Sequence, residues 1–229
     1  DGKFLAISLQ KTEGDKSKHK GSDLVLVNLS TMATMNFGNV DEYGFNKNAT
    51  MLAYTVDAAE QVGNGVYVYD LKNKVLKNLD SDRKKYSSLT WDDARVLKKD
   101  WSAKGNQIAV LKGEKADTLE QQINKLLVFS NVDQGPEKTE LDAKETSGFP
   151  ENFVISEKGR LQFSNDGSFV LFGIKEQEKK MKLGKDTIAN LDVYHWNDER
   201  INSVQRRRAS RDKNFTYWSS FQLGYMLFT

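Results

Sequence analysis

The sequence contains no cysteine, only two prolines and only two histidines in 229 residues. The missing cysteines exclude disulfides and thiolate metal sites, but they do not fix the compartment. The scarcity of histidine leaves little material for nucleophilic catalysis through a serine, which needs an imidazole base and usually an exposed Gly-x-Ser-x-Gly turn. That motif does not occur. His19 sits in a lysine-rich stretch and reads as solvated. His195 lies between Tyr194 and Trp196, where a packed structural role is favoured over a general base. No run approaches the roughly 18 apolar residues of a membrane helix, and no secretory leader is visible. The chain opens inside a repeat, so an amino-terminal portion is expected to precede Asp1. Neither sign of charge dominates: 34 basic against 32 acidic residues leave a net charge of +2. Such a balance predicts no strong pull on nucleic acid or on a membrane surface. No glycine-rich phosphate loop is present.

What the sequence does have is repetition. Phe163-Ser164, the turn Asn165-Asp166-Gly167-Ser168 and the apolar run Phe169 to Ile174 form one motif. Asp-Gly between apolar runs is a strong hairpin signal, because glycine accepts the positive φ of a tight turn. The motif recurs from Trp101 to Leu111 and from Phe45 to Tyr54, and the chain opens within a fourth copy, Asp1 to Ile7. Counted on Gly2, Ala49, Gly105 and Gly167, the copies lie roughly 50 to 60 residues apart. Each is followed by a second apolar pattern: Leu24 to Leu29, Val66 to Leu71, Leu126 to Asn131 and Leu191 to Trp196. The Phe169 to Ile174 run is almost continuously apolar, which predicts burial on both faces.

Two linked motifs repeated four times in fixed order predict an all-β fold, a β-propeller. Aromatics at 10% suit the space between its blades. The expected blades are 1–37, 40–79, 87–141 and 153–204, with a partial blade at 213–229. In blade two, Val66, Val68 and Asp70 should face one way and Tyr67, Tyr69 and Leu71 the other. Lys77 and Asn78 suit an outer strand. Ile201 to Val204 is expected as a strand closing a hairpin, and Phe215 to Phe221 as another. A few helical or disordered inserts complete the fold. Leu119, Gln122 and Ile123 give the insert 112–124 a helical period, 176–190 reads as a solvated loop or frayed helix, and 205–212 as a helical turn.

Residues that carry chemistry are weighed against plainer roles. Asp41-Glu42 and Asp92-Asp93 are adjacent pairs, not spaced ligand sets, and read as turn or surface charge. With 32 acidic residues, the sequence singles out no carboxylate pair for glycoside hydrolysis by a propeller enzyme. Arg206, Arg207, Arg208, Arg211 and Lys213, near Tyr217 and Trp218, form a basic cluster that suits a surface turn or partner interface better than a nucleic-acid site. Trp91-Asp92 occurs once and reads as a turn. The residues therefore assign no catalytic, cofactor or metal position.

The repeat of Phe163 to Phe172 resembles the blades of TolB-like propellers. It also resembles the propeller domains of prolyl oligopeptidase-family serine peptidases, in particular large secreted ones of Bacteroidetes-like bacteria. Thr146 to Phe153, Leu191 to Asp198 and Ile201 to Gln205 are similar to the latter. The resemblance implies a non-catalytic propeller that precedes an α/β-hydrolase domain, gates its active site and binds peptide substrate. The hydrolase Ser, Asp and His have no counterpart here. It also implies a periplasmic or secreted location and no cofactor. Such propellers have seven or eight blades. Four copies with partial ends are expected to make an incomplete ring, whose raw edges invite self-association. A stand-alone TolB-like propeller that binds a protein or cell-envelope ligand is the alternative.

Overall fold

The computed structural model describes residues 2–11, 20–92, 105–180, 200–224 and 227–229. Two antiparallel sheets contain the strands. The first is a meander of β1 (Phe4–Ser8), β2 (Ser22–Asn28), β3 (Thr34–Phe45), β4 (Met51–Val56), β5 (Gly65–Asp70) and β6 (Val75–Ser81). The second contains β7 (Lys85–Trp91), β8 (Ile108–Glu114), β9 (Ile123–Ser130), β10 (Glu137–Leu141), β11 (Phe153–Ile155), β12 (Gln162–Phe163), β13 (Phe169–Glu176), β14 (Tyr217–Gln222) and β15 (Leu227–Phe228). No helix among the described residues is long and apolar enough to cross a membrane.

The strands group into four blades, and three cores lie between successive blades. Strand β4 shows why. Leu52 and Tyr54 pack with Leu24, Leu26 and Phe37 of blade one, while Met51 and Ala53 pack with Ile108, Val110 and Phe129 of blade three. Successive side chains on a strand point to opposite faces, so one apolar run feeds two cores. Strand β8 repeats the device: Ile108 and Val110 face blade two, while Ala109 and Leu111 join Val170, Phe172 and Ile174 of blade four. The alternation expected for β5 is also present, with Val66 and Val68 on one side and Tyr69 and Leu71 on the other. The sheets do not close on one another, and the blades form an incomplete ring.

The turn that opens each second strand explains the repeated motif. Gly2, Ala49, Gly105 and Gly167 all have positive φ, between 50° and 69°. The small polar residue before the turn caps it. The Asn46 Oδ1 atom accepts from the Thr50 and Met51 amides at 2.8 and 3.0 Å, and Ser164 Oγ accepts from the Phe169 amide at 2.9 Å. Asp166 accepts from the Ser164 and Ser168 hydroxyls at 2.6 and 2.7 Å, which holds its carboxyl down to about 2. A second hydrogen bond recurs in every blade, from the end of the third strand to this turn. Its donors are the amides of Leu29, Leu71, Val132 and Leu223, and its acceptors the carbonyls of Lys3, Thr50, Asn106 and Ser168.

That bond places β14 as the third strand of blade four. It pairs with β13 over six positions, from Phe169 opposite Gln222 to Ile174 opposite Tyr217. The Leu191 to Trp196 pattern, His19 and His195 lie outside the described residues. The expected strand Ile201 to Val204 is not formed: Asn202–Lys213 is an α-helix, α1. Helix formers such as Gln205, Arg206 and Ala209 dominate the segment. The 205–212 turn expected from the sequence lies within it. The insert 112–124 is not helical. It continues β8 to Glu114, turns, and runs beside the segment after β13, with Glu120 N donating to Glu178 O at 2.8 Å and Lys180 N to Thr118 O at 2.9 Å. One apolar i, i+3, i+4 set is too short to nucleate a helix against such pairing. Strand β3 has an irregularity in its register with β4 between Val40 and Tyr43.

Ala49 is the one non-glycine in the turn column, at φ 50°. A left-handed backbone disfavours a Cβ by roughly 1–2 kcal/mol, partly offset by glycine's greater freedom when unfolded. Ala49→Gly should therefore raise stability by about 0.5–1 kcal/mol, and Gly167→Ala should lower it by about 1 kcal/mol, as read from urea unfolding midpoints.

Candidate functional site: the inner-strand wall

The first strands of blades two, three and four converge on one another, which makes theirs the inner side of the arc. These are the second half of β3, then β7, then the broken pair β11 and β12. Strand β7 contacts both β3 and β12. The first strand of blade four is interrupted because Ser156 to Leu161 leaves β13 and returns. The excursion passes Gly173 so closely that a Cβ there would lie 2.7 Å from Gly159 Cα.

Polar contacts join the inner strands of blades two and three. Lys85 Nζ lies 3.2 Å from Asp41 and 3.6 Å from Asp57. The Leu89 amide donates to Glu42 Oε2 at 2.7 Å, and Trp91 Nε1 donates to the Gly44 carbonyl at 2.9 Å. The register of β7 shifts between Ser87 and Thr90, and Ser88 has φ 59°. A bulge of this kind frees a backbone donor from the ladder, and Glu42 receives the Leu89 amide. Asp41-Glu42 is therefore a fastening between blades. Tyr43 remains 40% exposed beside it. Trp91 ends β7 and is buried in the core between blades two and three. Asp92 is buried and accepts from the Gln107 amide at 3.3 Å, whereas Asp93 lies outside the described residues.

A second charged cluster centres on Asp80 of β6. Lys138 Nζ donates to Oδ1 at 2.7 Å. Tyr86 OH and Lys112 Nζ donate to Oδ2 at 2.6 and 3.0 Å. Burial alone would raise this carboxyl, but the bonds from Lys138, Tyr86 and Lys112 outweigh it and hold it below 3.8. Burial and the bond to Asp80 push the Tyr86 phenol up. The alternation continues outward, with Lys125 at 2.8 Å from Glu140 and 2.9 Å from Asp142. These groups are mutually saturated, and their shifts come from structural pairing. Among the described residues no group of three or more His, Cys, Asp or Glu is placed to hold a metal. The basic residues Arg206, Arg207, Arg208 and Arg211 lie on α1 and are exposed, as are Tyr217 and Trp218 nearby.

Compared with known proteins, the chain matches no family model, and no curated protein matches it. Solved structures do match. The β-propeller domain of the Trilobed protease from Pyrococcus furiosus is 14% identical, over 79% of this chain and 54% of that one, with a TM-score of 0.42. Pyrococcus horikoshii acylaminoacyl peptidase is 11% identical, over 80% and 31%, with a TM-score of 0.44. TolB from Acinetobacter baumannii is 10% identical, over 69% and 33%, with a TM-score of 0.34. The chain thus spans about half of the first and about a third of the other two. It is similar to propeller domains of prolyl oligopeptidase-family peptidases and to TolB. Its own strand pairing and cores carry the fold assignment.

The Asp80 cluster gives a pH dependence of known sign. A carboxyl held low in the folded chain contributes fully above its unfolded value and loses that contribution as pH falls through the lowered one. Asp80→Asn should cost about 2 kcal/mol at neutral pH. It should also shrink the stability lost on acidification below pH 3.8, as measured by urea unfolding at a series of pH values.

Proposed function

We propose that this chain is the non-catalytic propeller portion of a prolyl oligopeptidase-like serine peptidase. It gates access to an active site carried by an α/β-hydrolase domain of the parent protein and offers a surface to extended peptide. In this reading the protein works in the periplasm or outside the cell. The observation that carries the reading is the inner-strand wall. Strand β7 is the terminal strand of its sheet, so among the described residues one side of its backbone pairs with no strand. Half-buried Ser87, Ser88 and Thr90 and the exposed ring of Tyr43 lie along it. A strand edge that pairs with no other strand, on the inner side of an arc, suits an extended peptide, whose main chain supplies matching donors and acceptors. The fastenings at Asp41, Glu42 and Trp91 hold that edge in place.

Fluorescein-labelled peptides of about five to ten residues, titrated into the chain and followed by anisotropy, should bind saturably and remain uncut by mass spectrometry. Ser87→Lys should weaken binding at least about fivefold by crowding the edge. A fluorophosphonate should label the full-length parent and not this chain. Peptide cleavage or fluorophosphonate labelling of the chain itself would overturn the reading, as would peptides that never bind.

A further inference from the structure

The loop between β10 and β11 walls a cavity of about 540 Å³, at the end of the second sheet where β9 and β11 begin and β13 ends. Its apolar lining comes from two parts of the sequence. Leu119 and Ile123 belong to the insert after β8 and to the start of β9, and a bridge from Leu119 to Lys179 holds the insert in place. Phe149 and Phe153 belong to the loop and to β11, and they pack on the core between blades three and four. All four side chains are only half-buried. The Phe149 ring rests on Phe228, with centroids 4.7 Å apart, and Phe153 on Tyr217 at 6.0 Å. Pro150 restricts the loop backbone, and the Asn152 carbonyl accepts from the Gln177 amide at 2.7 Å. The wall is therefore formed in the free chain.

Most polar side chains of the lining are already bonded within the chain. Gln177 Oε1 accepts from the Gln121 amide at 3.0 Å, and its Nε2 donates to the Gln121 carbonyl at 3.1 Å. Asp142 accepts from the Lys144 amide at 2.9 Å and pairs with Lys125 at 2.9 Å. Thr146 Oγ1 donates to the Asp142 carbonyl at 2.6 Å, and Asn124 Nδ2 to the Ile155 carbonyl at 2.8 Å. Lys144 and Glu151, both exposed, carry opposite charges and give an ionic ligand no net attraction. What remains for a ligand is apolar and aromatic surface, in a volume ordinary for a binding cleft.

We propose that this cavity takes a bulky apolar side chain, aromatic above all, of a peptide lying along β7, and so sets which peptides the propeller binds. The proposal rests on the reading of this chain as a peptide-binding propeller. The cavity lies at the end of the sheet where β7 begins. Lys85, Gly113, Asn124 and Ile155 stand opposite one another on β7, β8, β9 and β11, and Asn124 lines the cavity. At roughly 4.8 Å between strands, a peptide beside β7 lies about 15 Å from Asn124, the reach of about five extended residues. A peptide that leaves the β7 edge at Lys85 and turns across this end of the sheet therefore brings a side chain to the cavity. The rings of Phe149 and Phe153 favour an aromatic one.

Two measurements test the site. In the first, fluorescein-labelled peptides of about ten residues, built from serine, threonine and glutamine, carry either phenylalanine or alanine at both ends. The phenylalanine peptide should bind at least about tenfold tighter, the gain expected from burying one ring. Ala143→Trp, which fills the cavity from its own lining, should abolish that preference and leave the alanine peptide's affinity unchanged; circular dichroism and a urea midpoint near wild type establish that the variant folds. In the second, N-acetylphenylalaninamide is titrated to about 10 mM into the ¹⁵N-labelled wild-type chain. The amide resonances of Ile123, Lys144, Phe153 and Val154 should shift saturably, and that of Ser87 should not. Equal binding of the two peptides overturns the proposal, as does a preference that survives in a folded Ala143→Trp chain. Resonances around the cavity that N-acetylphenylalaninamide leaves unmoved overturn it equally, and peptides that still bind in that case leave the β7 reading intact. Saturable shifts at the cavity together with peptides that never bind support the cavity as an apolar site and overturn the peptide reading.

Discussion

Two-sided burial of the second strand in the middle blades is the constraint on which the rest depends. Strands β4 and β8 are each almost wholly buried, with alternate side chains in different cores. Burying a large apolar side chain is worth about 1.5–3 kcal/mol, but a blade alone covers neither face of such a strand. Each blade is therefore stabilised by its neighbours, and the fold is a series of contacts between adjacent units. The same constraint sets the composition: small and large apolar side chains share each core, Ala53 with Phe129 and Ala109 with Phe172, all of them buried.

Polar contacts act at the margins of these cores. Glu42 receives the amide freed by the β7 bulge, and Trp91 reaches across to Gly44. Lys77 Nζ of β6 donates to the Val132 and Asp133 carbonyls at 2.9 Å, tying the outer strand of blade two to a turn of blade three. Asn46 Nδ2 donates to the Gly105 carbonyl at 3.0 Å, so the capped turns of blades two and three are linked. Each contact satisfies a group that packing would otherwise leave without a partner, and each crosses between blades. They fix the relative placement of inner strands whose edge the proposed function uses.

Much of this architecture was legible because it depends on local periodicity. The turn column, the alternation in β5 and the apolar second strands were all readable from residue order. The third strand of blade four was not. The Leu191 to Trp196 pattern matches the expected one better than Tyr217 to Gln222 does, and it takes the pairing of β14 with β13 and the Leu223 to Ser168 hydrogen bond to reveal which segment flanks β13. The path of the 112–124 insert was equally hidden, because its partner lies about 60 residues away and pairing at that distance leaves no local signature. The role of Asp41-Glu42 was invisible for the same reason. Adjacent carboxylates resemble surface charge until Lys85 and Leu89 are placed beside them.

The functional reading rests on an arc with fixed inner strands, so the order of stability across the blades is its most direct test. Hydrogen exchange resolved by residue should show the amides of β4 and β8 opening only with global unfolding, because both faces of these strands are buried between blades. The outer strands β6 and β10 should open earlier, through local fluctuation. Equal protection across β6, β8 and β10, or faster exchange in β8 than in β10, would contradict an arrangement of blades stabilised by their neighbours.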